Sequence, residues 1–195
     1  MDLPYTAVEG RHVRLEPFSA DNREAVRQAI NCDPETWNIY GTNGYGEAFS
    51  AWWDAALIDL AKGVRHPYAI LDARTGEGLG TSSFHQIDPA HRSVEIGYTF
   101  LALQARGGPV NPESKRLMLE RAFAAGALRV FFQVDARNQR SQAAVAKLGA
   151  VREGVLRKHK VTWTGHHRDT VVFSITDEDW PGVRDRLNAR LAALS

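Results

Sequence analysis

The chain has 195 residues, of which 44% are hydrophobic and 24% are charged, and its formal net charge is +1. This length and composition suit one well-buried core and exclude the polar, highly charged profile of a disordered chain. We therefore expect a single domain over residues 1–195. Since Lys and Arg are interspersed with Asp and Glu, no basic block favours nucleic acid or a membrane surface as a partner.

The cysteine, the apolar runs and the histidines of the sequence indicate the compartment of the protein and whether it binds a metal. The one cysteine, Cys32, excludes an intrachain disulfide and is typical of a reducing compartment. The N-terminus lacks a signal-peptide profile, and no apolar run reaches the roughly 18 residues of a membrane span. His166 and His167 would point to opposite faces of a strand, and no other set of residues has metal-ligand spacing. We expect a cytoplasmic protein without a metal.

Apolar patterns predict that the first half of the chain contains two helices and four strands. Residues 12–18 alternate as a strand, and Ser19 or Asp21 is placed to cap the helix that follows. The remaining predicted elements are a loop at 33–46, a helix at 48–61 and strands at 67–72, 79–87 and 93–101. In the last strand, alternation predicts that Val94, Ile96, Tyr98 and Phe100 share one face. Its glycine, Gly97, predicts a bulge or a close backbone approach.

The loop at 33–46 has more aromatic surface than a connector needs. Its rings are those of Trp37, Tyr40 and Tyr45, in a segment that also contains proline, asparagine and glycine. Such rings either line a pocket or anchor the loop to the core, and the sequence leaves both interpretations open.

The second half of the chain is predicted to alternate helices with strands. A loop at 104–112 leads into a helix that begins near Pro112 and ends at Gly126. A largely apolar strand follows at 129–135, which indicates a central position in a sheet. The remaining elements are a helix at 138–148, strands at 151–162 and 168–175, and a helix at 177–194.

The segment at 106–115 has the composition of an anion-binding site. A strand is followed there by a loop with Gly107 and Gly108 and then by the start of a helix. Free backbone N–H groups and the helix dipole favour a phosphate at such a point. Many tight turns contain glycines for structural reasons alone, and the segment matches neither a Walker motif nor a dinucleotide fingerprint.

The helix at 138–148 places two polar side chains on one face. Asn138, Ser141 and Val145 are spaced at i, i+3 and i+7, so that an amide and a hydroxyl project toward the same region. The alternative is that Asn138 is an ordinary N-cap and Ser141 a first-turn polar residue.

These two segments resemble the GNAT superfamily of N-acetyltransferases. The similar motifs are Arg-Gly-Gly-Pro-Val-Asn at 106–111 and the Asn-x-x-Ser…Lys-Leu-Gly pattern at 138–149. Further stretches are similar to the RimJ/RimL-like branch of ribosomal-protein N-terminal acetyltransferases, and these lie at 94–98, 111–115, 153–157 and 168–170. The resemblance implies an α+β fold with a mixed, mostly antiparallel central sheet and helices on both faces. That sheet would be splayed open for acyl-CoA between the strands at 93–101 and 128–135.

The resemblance also implies that acetyl-CoA binds as a cosubstrate in the split of the sheet. Its pantetheine amides would pair with the backbone at Phe100 and Leu101, and its pyrophosphate would lie on the amides of residues 106–111. Asn138 would bind the pantetheine arm. The full set of expected cofactor-binding residues is Phe100, Leu101, Arg106, Gly107, Gly108, Val110, Asn111, Lys115, Asn138 and Ser141.

Two positions depart from the superfamily pattern. Pro109 stands where the superfamily loop has glycine, and it has no N–H to donate. Val145 stands where many members have a tyrosine that protonates the leaving thiolate. Ser141, one turn earlier on the same face, is therefore the candidate for stabilising the departing sulfur. Glu95 is the candidate general base, acting through a water molecule.

The resulting hypothesis is an acyl-CoA-dependent N-acetyltransferase in which a primary amine attacks the thioester directly in a ternary complex. The acceptor would be a protein N-terminus or a small α-amine, in a pocket shaped by residues 37–53 and 157–170. A non-catalytic CoA-binding module stays open because of the two departures. Transfer of another acyl group, and transfer to a polyamine, amino acid or antibiotic, stay open as well. A homodimer is a family-level expectation.

Overall fold

The computed structural model describes residues 1–194, and its regular elements follow the predicted order closely. The strands are β1 (Val8–Glu9), β2 (Val13–Pro17), β3 (Arg65–Asp72), β4 (Gly78–Asp88), β5 (Ser93–Leu101), β6 (Arg129–Asp135), β7 (Val151–Val161) and β8 (His167–Thr176). The helices are α1 (Arg23–Ile30), α2 (Phe49–Ala61), α3 (Val110–Ala124), α4 (Gln139–Leu148) and α5 (Trp180–Ala192). Short 3-10 turns occupy Glu35–Ile39, Gly46–Ala48 and Leu103–Ala105.

The eight strands form one sheet in the order β1-β2-β3-β4-β5-β6-β8-β7. Every neighbouring pair is antiparallel except β5 and β6, which are parallel. The mixed, mostly antiparallel sheet predicted from the sequence is therefore confirmed. Within residues 1–194, no helix is both long enough and apolar enough to cross a membrane.

The parallel pair β5–β6 separates after three residues. It pairs Ser93 with Arg129 and ends where Glu95 pairs with Phe131. Beyond that point β5 continues along β4, whereas β6 stays paired with β8 as far as Asp135. Because each strand keeps only its outer partner, the sheet opens into a wedge and the inner edges of both strands are left without a neighbouring strand.

A bulge in β5 reverses the side chains beyond Gly97. Thr81 pairs with Phe100 but Ser83 pairs with Gly97, so one residue of β4 lies opposite two of β5. Tyr98 has a φ of 49°, the left-handed conformation that an inserted residue adopts. The predicted bulge is confirmed. The prediction of one shared apolar face is wrong, because the inserted residue turns the Phe100 side chain to the opposite face.

The core consists of two clusters, one on each face of the sheet. Alternate residues of β3 show the division, since Tyr68 and Ile70 belong to the first cluster and Ala69 and Leu71 to the second. Helices α3, α4 and α5 contribute to the first cluster, and α1 and α2 contribute most of their buried residues to the second. Helices therefore cover both faces, as predicted.

Helix α3 begins two residues earlier than predicted. One of its carboxylates holds the segment where β2 begins. Glu113 is 3% exposed and accepts hydrogen bonds from the backbone N–H groups of Arg11, His12 and Val13. Three amide donors satisfy the buried charge, which would otherwise be costly. This contact ties β2 to α3 and fixes the helix whose N-terminus faces the wedge.

Candidate active site

A cleft of about 390 Å³ lies between the separated strands β5 and β6. It extends from the N-terminal turns of α3 and α4 at one end to β7, β8 and the loop after the first 3-10 turn at the other. We refer to these as the helix end and the hairpin end. The predicted residues that line the cleft are Glu95, Leu101, Arg106, Gly107, Asn111, Lys115, Asn138 and Ser141.

The glycine loop lies at the helix end. Gly107 lines the cleft with a φ of +83°, a conformation that L-residues avoid. Pro109 occupies the N-cap position of α3, where a missing N–H leaves no intrahelical bond unmade. Gly108 and Val110 belong to the same turn but do not line the cleft. The loop therefore presents backbone at the start of a 15-residue helix, the arrangement that suits an anion.

The Arg106 side chain makes contacts within the protein. Its Nε donates to the carbonyl oxygen of Leu101 at 2.9 Å, and one terminal nitrogen donates to Asp33 Oδ2 at 2.6 Å. Burial would raise the pKa of Asp33, but hydrogen bonds from Thr36 and Arg106 outweigh it and leave the pKa below its usual range. Arg106 thus joins the end of β5 to the loop at 33–46.

Lys115 is the most unusual charged group of the helix end. Its ammonium donates to Ser82 Oγ at 2.9 Å and to Thr99 Oγ1 at 2.6 Å, beside the bulge of β5. No carboxylate of residues 1–194 lies within 4 Å of it. Burial lowers the pKa of Lys115 to about 7. The ammonium therefore lies between β4 and β5, with hydroxyl groups as its hydrogen-bond partners.

Helix α4 closes the helix end from the other wall. Asn138 is the N-cap, and its Oδ1 accepts from the Ser141 backbone N–H at 3.0 Å. The capping alternative is thus realised, yet Asn138 also lines the cleft and its side-chain nitrogen makes no hydrogen bond within residues 1–194. Ser141 and Val145 line the cleft on the same face, as the spacing predicted.

The long wall between the two ends is apolar. Phe132 and Val134 of β6 and Leu148 of α4 are buried side chains that line the cleft. Opposite them, Leu101 lines the cleft, whereas the Phe100 ring stacks on Trp37 at 5.1 Å between ring centroids, on the other face of the sheet. Any role of Phe100 at the cleft is therefore a role of its backbone.

Glu95 lies where the two strands begin to separate. Its side chain is 4% exposed; Oε2 accepts from Gln86 Nε2 at 2.8 Å, and Oε1 lies 3.2 Å from His85 Nε2. Gln86 has a φ of 48° at an irregularity in β4, so local backbone strain directs its amide toward the carboxylate. Sequence analysis missed His85 and Gln86, although the pairing of β4 with β5 places His85 directly opposite Glu95.

The hairpin end is lined by side chains from the two segments, 37–53 and 157–170, that were expected to shape an acceptor pocket, although no single residue there was named. Tyr40 donates from its hydroxyl to the carbonyl oxygen of Thr99 at 2.6 Å, and burial raises its pKa to about 12. Lys160 of β7 and Arg168 of β8 face the cleft from the opposite side. Of the three aromatic residues in the loop, Trp37 anchors it to the core, Tyr40 lines the cleft and Tyr45 is exposed.

Comparison with known proteins identifies the family. A family model described as the acetyltransferase (GNAT) domain matches residues 12–151. The crystal structure of a protein from T. thermophilus, which has a provisional acetyltransferase assignment, is 40% identical with a TM-score of 0.86 and covers 98% of this chain and 100% of that one.

Two curated proteins of Bacillus subtilis (strain 168) are similar in sequence. YoaA, named an uncharacterized N-acetyltransferase, is 32% identical over 121 residues, which are 62% of this chain and 67% of YoaA. YdaF, provisionally named a ribosomal N-acetyltransferase, is 30% identical over 108 residues, 55% of this chain and 58% of YdaF. These relatives agree with the branch that the sequence motifs resemble. With a family model matched over most of its length, the chain belongs to the GNAT family and is an acyl-CoA-dependent N-acetyltransferase.

Proposed function

We propose that this chain transfers the acetyl group of acetyl-CoA to the α-amine of a peptide N-terminus or of a small molecule, by direct attack in a ternary complex. The observation that carries the proposal is the position of Glu95. Its buried carboxylate, which within residues 1–194 has no Lys or Arg within 4 Å, lines the cleft at the point where β5 and β6 separate. A carboxylate of this kind is suited to accept a proton from an incoming amine.

The helix end of the cleft fits acetyl-CoA in three respects. The Gly107 turn and the start of α3 suit the pyrophosphate, because both present backbone N–H groups. The edge of β5 at Leu101 has no strand beside it among the described residues and suits the amides of the pantetheine arm, as an added strand would, with the Leu101 carbonyl also accepting from Arg106 Nε. The Phe132 and Val134 side chains suit the methylene groups of that arm, and the free amide nitrogen of Asn138 is available to a carbonyl oxygen.

In the proposed reaction, the neutral amine nitrogen attacks the thioester carbon and a new C–N bond forms. The C–S bond breaks, and its electron pair leaves with the sulfur. Before the attack, the ammonium form of the acceptor gives one proton through water to Glu95. The second proton, released from the nitrogen as the amide forms, is taken up by the departing thiolate, to which the Ser141 hydroxyl donates a hydrogen bond. A thiol pKa near 8.5 makes this leaving group tolerable close to neutral pH.

The preference for an α-amine follows from the proton that must be removed. An α-amino group has a pKa near 8, and a lysine side chain has one near 10.4, so neutralising the lysine costs roughly 3 kcal/mol more. A single carboxylate that accepts this proton through water is better suited to an α-amine, because less free energy is needed to neutralise it. We therefore propose α-amines as acceptors rather than lysine side chains.

The experiment is a thiol-release assay with acetyl-CoA and a panel of amines, combined with calorimetry of CoA binding. We expect CoA to bind and thiol release to depend on the amine, with α-amines faster than matched lysine side chains. Binding of CoA without release on any amine contradicts the proposed transfer, and faster reaction of lysine side chains contradicts the acceptor preference.

A further inference from the structure

Arg168 is a buried cation at the hairpin end with one unused nitrogen. Its Nε donates to Thr170 Oγ1 and its Nη2 donates to the carbonyl oxygen of Gln133, both at 2.9 Å, while Nη1 makes no hydrogen bond within residues 1–194. The residue as a whole is 9% exposed. Burial lowers the pKa of this guanidinium, and the carboxylates of Asp135 and Glu95 partly offset that effect.

The unused nitrogen faces an open space rather than a protein partner. A β-carbon added at Gly41 would lie 3.9 Å from Arg168 Nη1, so the guanidinium approaches the loop across the cleft. Gly41 and Arg168 both line the cleft. Because Nη1 is open to the cleft, a ligand carboxylate can replace water there and accept a charge-assisted hydrogen bond from it.

The neighbouring charges leave the hairpin end with an excess of positive charge. Lys160 donates only to Gln133 Oε1, at 3.1 Å, and among the described residues neither it nor Arg168 has a carboxylate within 4 Å. Of the two carboxylates that line the cleft, Asp135 is hydrogen-bonded by Arg137, whereas Glu95 lies beside His85 and has no Lys or Arg within 4 Å among residues 1–194.

We infer that the acceptor amine carries a carboxylate, which Arg168 binds from the hairpin end while the amine faces Glu95. This inference rests on the proposed acetyl transfer and narrows its acceptor. The carboxylate belongs either to a free amino acid or to an acidic residue close to a peptide N-terminus. A polyamine is disfavoured, because its additional ammonium groups would meet Arg168 and Lys160 without an anion to balance them.

The experiment compares acceptors in matched pairs that differ only in one carboxylate. The pairs are L-alanine with L-alaninamide, and the dipeptide amides Ala-Glu-NH2 with Ala-Gln-NH2; spermidine is a third arm. We expect the acidic member of at least one pair to have the higher kcat/KM, counted per neutral amine, by about tenfold or more, which is the usual worth of a hydrogen bond to a charged group. The preferred pair identifies the source of the carboxylate.

The variant Arg168→Gln should reduce that ratio to near one, whereas Arg168→Lys should restore part of it. Arg157→Gln is the matched control, because Arg157 is an exposed arginine of the same hairpin that does not line the cleft. Calorimetry of N-acetyl-L-alanine against its amide provides a readout that is independent of turnover. If Arg168→Gln unfolds, the wild-type kcat/KM ratios and this calorimetry still test whether the acceptor carries a carboxylate.

Three outcomes overturn the inference: faster reaction of the uncharged member in both pairs, equal ratios in wild type and a folded Arg168→Gln, or spermidine as the best acceptor. None of these removes the proposed acetyl transfer. Failure of that proposal would look different, since no amine would then release thiol from acetyl-CoA.

Discussion

The two ends of the cleft differ in the chemical groups that line them. The helix end presents mainly backbone and small or apolar groups: the Gly107 turn, the start of α3, the Asn138 cap and the apolar wall of β6. Its two cations, Arg106 and Lys115, make hydrogen bonds within the protein. The hairpin end is made of charged side chains, chiefly Glu95 and Arg168, from strands on both sides of the split. A site lined by backbone keeps its ligand when many of the surrounding side chains are substituted. In a site made of charged side chains, each substitution changes the ligand specificity.

We infer from this difference that the helix end binds acetyl-CoA and that the hairpin end selects the acceptor amine. A phosphate held by N–H groups and a helix dipole does not require particular side chains. An amine and its neighbouring group are recognised by the charges they meet. Substitutions at the helix end should therefore act on acetyl-CoA, and those at the hairpin end on the acceptor and the proton.

The largest effect is expected from Glu95→Gln. It removes the proposed proton acceptor and should lower turnover at pH 7 by about 100-fold or more, within the range of general base catalysis. Turnover should recover toward pH 9, where solution already supplies neutral α-amine. Rate profiles between pH 6 and pH 9 measure this, and a variant profile parallel to that of the wild type would show that Glu95 is not the base.

The next effect is expected from Ser141→Ala. Its hydroxyl makes no hydrogen bond within residues 1–194, so its loss should leave the helix intact. Turnover should fall about 10- to 100-fold through the loss of hydrogen bonding to the departing sulfur, with CoA affinity nearly unchanged. Stopped-flow turnover and calorimetry separate the two quantities. Unchanged turnover under conditions where chemistry is rate-limiting would make Ser141 a surface residue of α4.

A smaller effect is expected from Gly107→Ala. The added β-carbon meets nothing within 4 Å, so its cost is the left-handed φ of +83° alone, about 1 to 2 kcal/mol. If the loop relaxes in the free enzyme, binding must restore it, and the KM for acetyl-CoA should rise about tenfold. Gly165→Ala, at a φ of +80° with equally open surroundings at the hairpin tip, is the control. An equal rise in the control would contradict the assignment.

The smallest effect is expected in stability, from Lys115→Met. The pKa of Lys115 falls from its ordinary 10.5 to about 7 on folding, so the unfolded chain binds more protons between these values. Wild-type stability relative to the variant should therefore rise with pH, by about 1 kcal/mol from pH 6 to pH 8. Urea unfolding at several pH values measures this difference. A difference that is constant with pH would show that the ammonium titrates normally.

The order of elements and the helix end could be predicted from sequence because their signals are local. The loop at 106–111 and the helix at 138–148 are continuous segments, and the spacing of Asn138, Ser141 and Val145 fixes one helical face. The segments 37–53 and 157–170 were expected to shape a pocket, but the individual side chains of the hairpin end could not be predicted, because His85, Lys160 and Arg168 come from separate strands. Only strand pairing places them around one cavity.

The sequence by itself determined the family, the helices and strands, and the segment suited to phosphate. Tertiary structure decided three further points: the split after Glu95, the reversal of Phe100 by the bulge at Tyr98, and the burial of the Lys115 ammonium and the Arg168 guanidinium, neither of which has a carboxylate within 4 Å among residues 1–194. The physical reason is that periodicity depends on neighbours along the chain, whereas a residue inserted in one strand moves every later side chain to the other face. Whether a side chain is buried, and whether a buried charge lies beside an opposite charge, depends on neighbours in space.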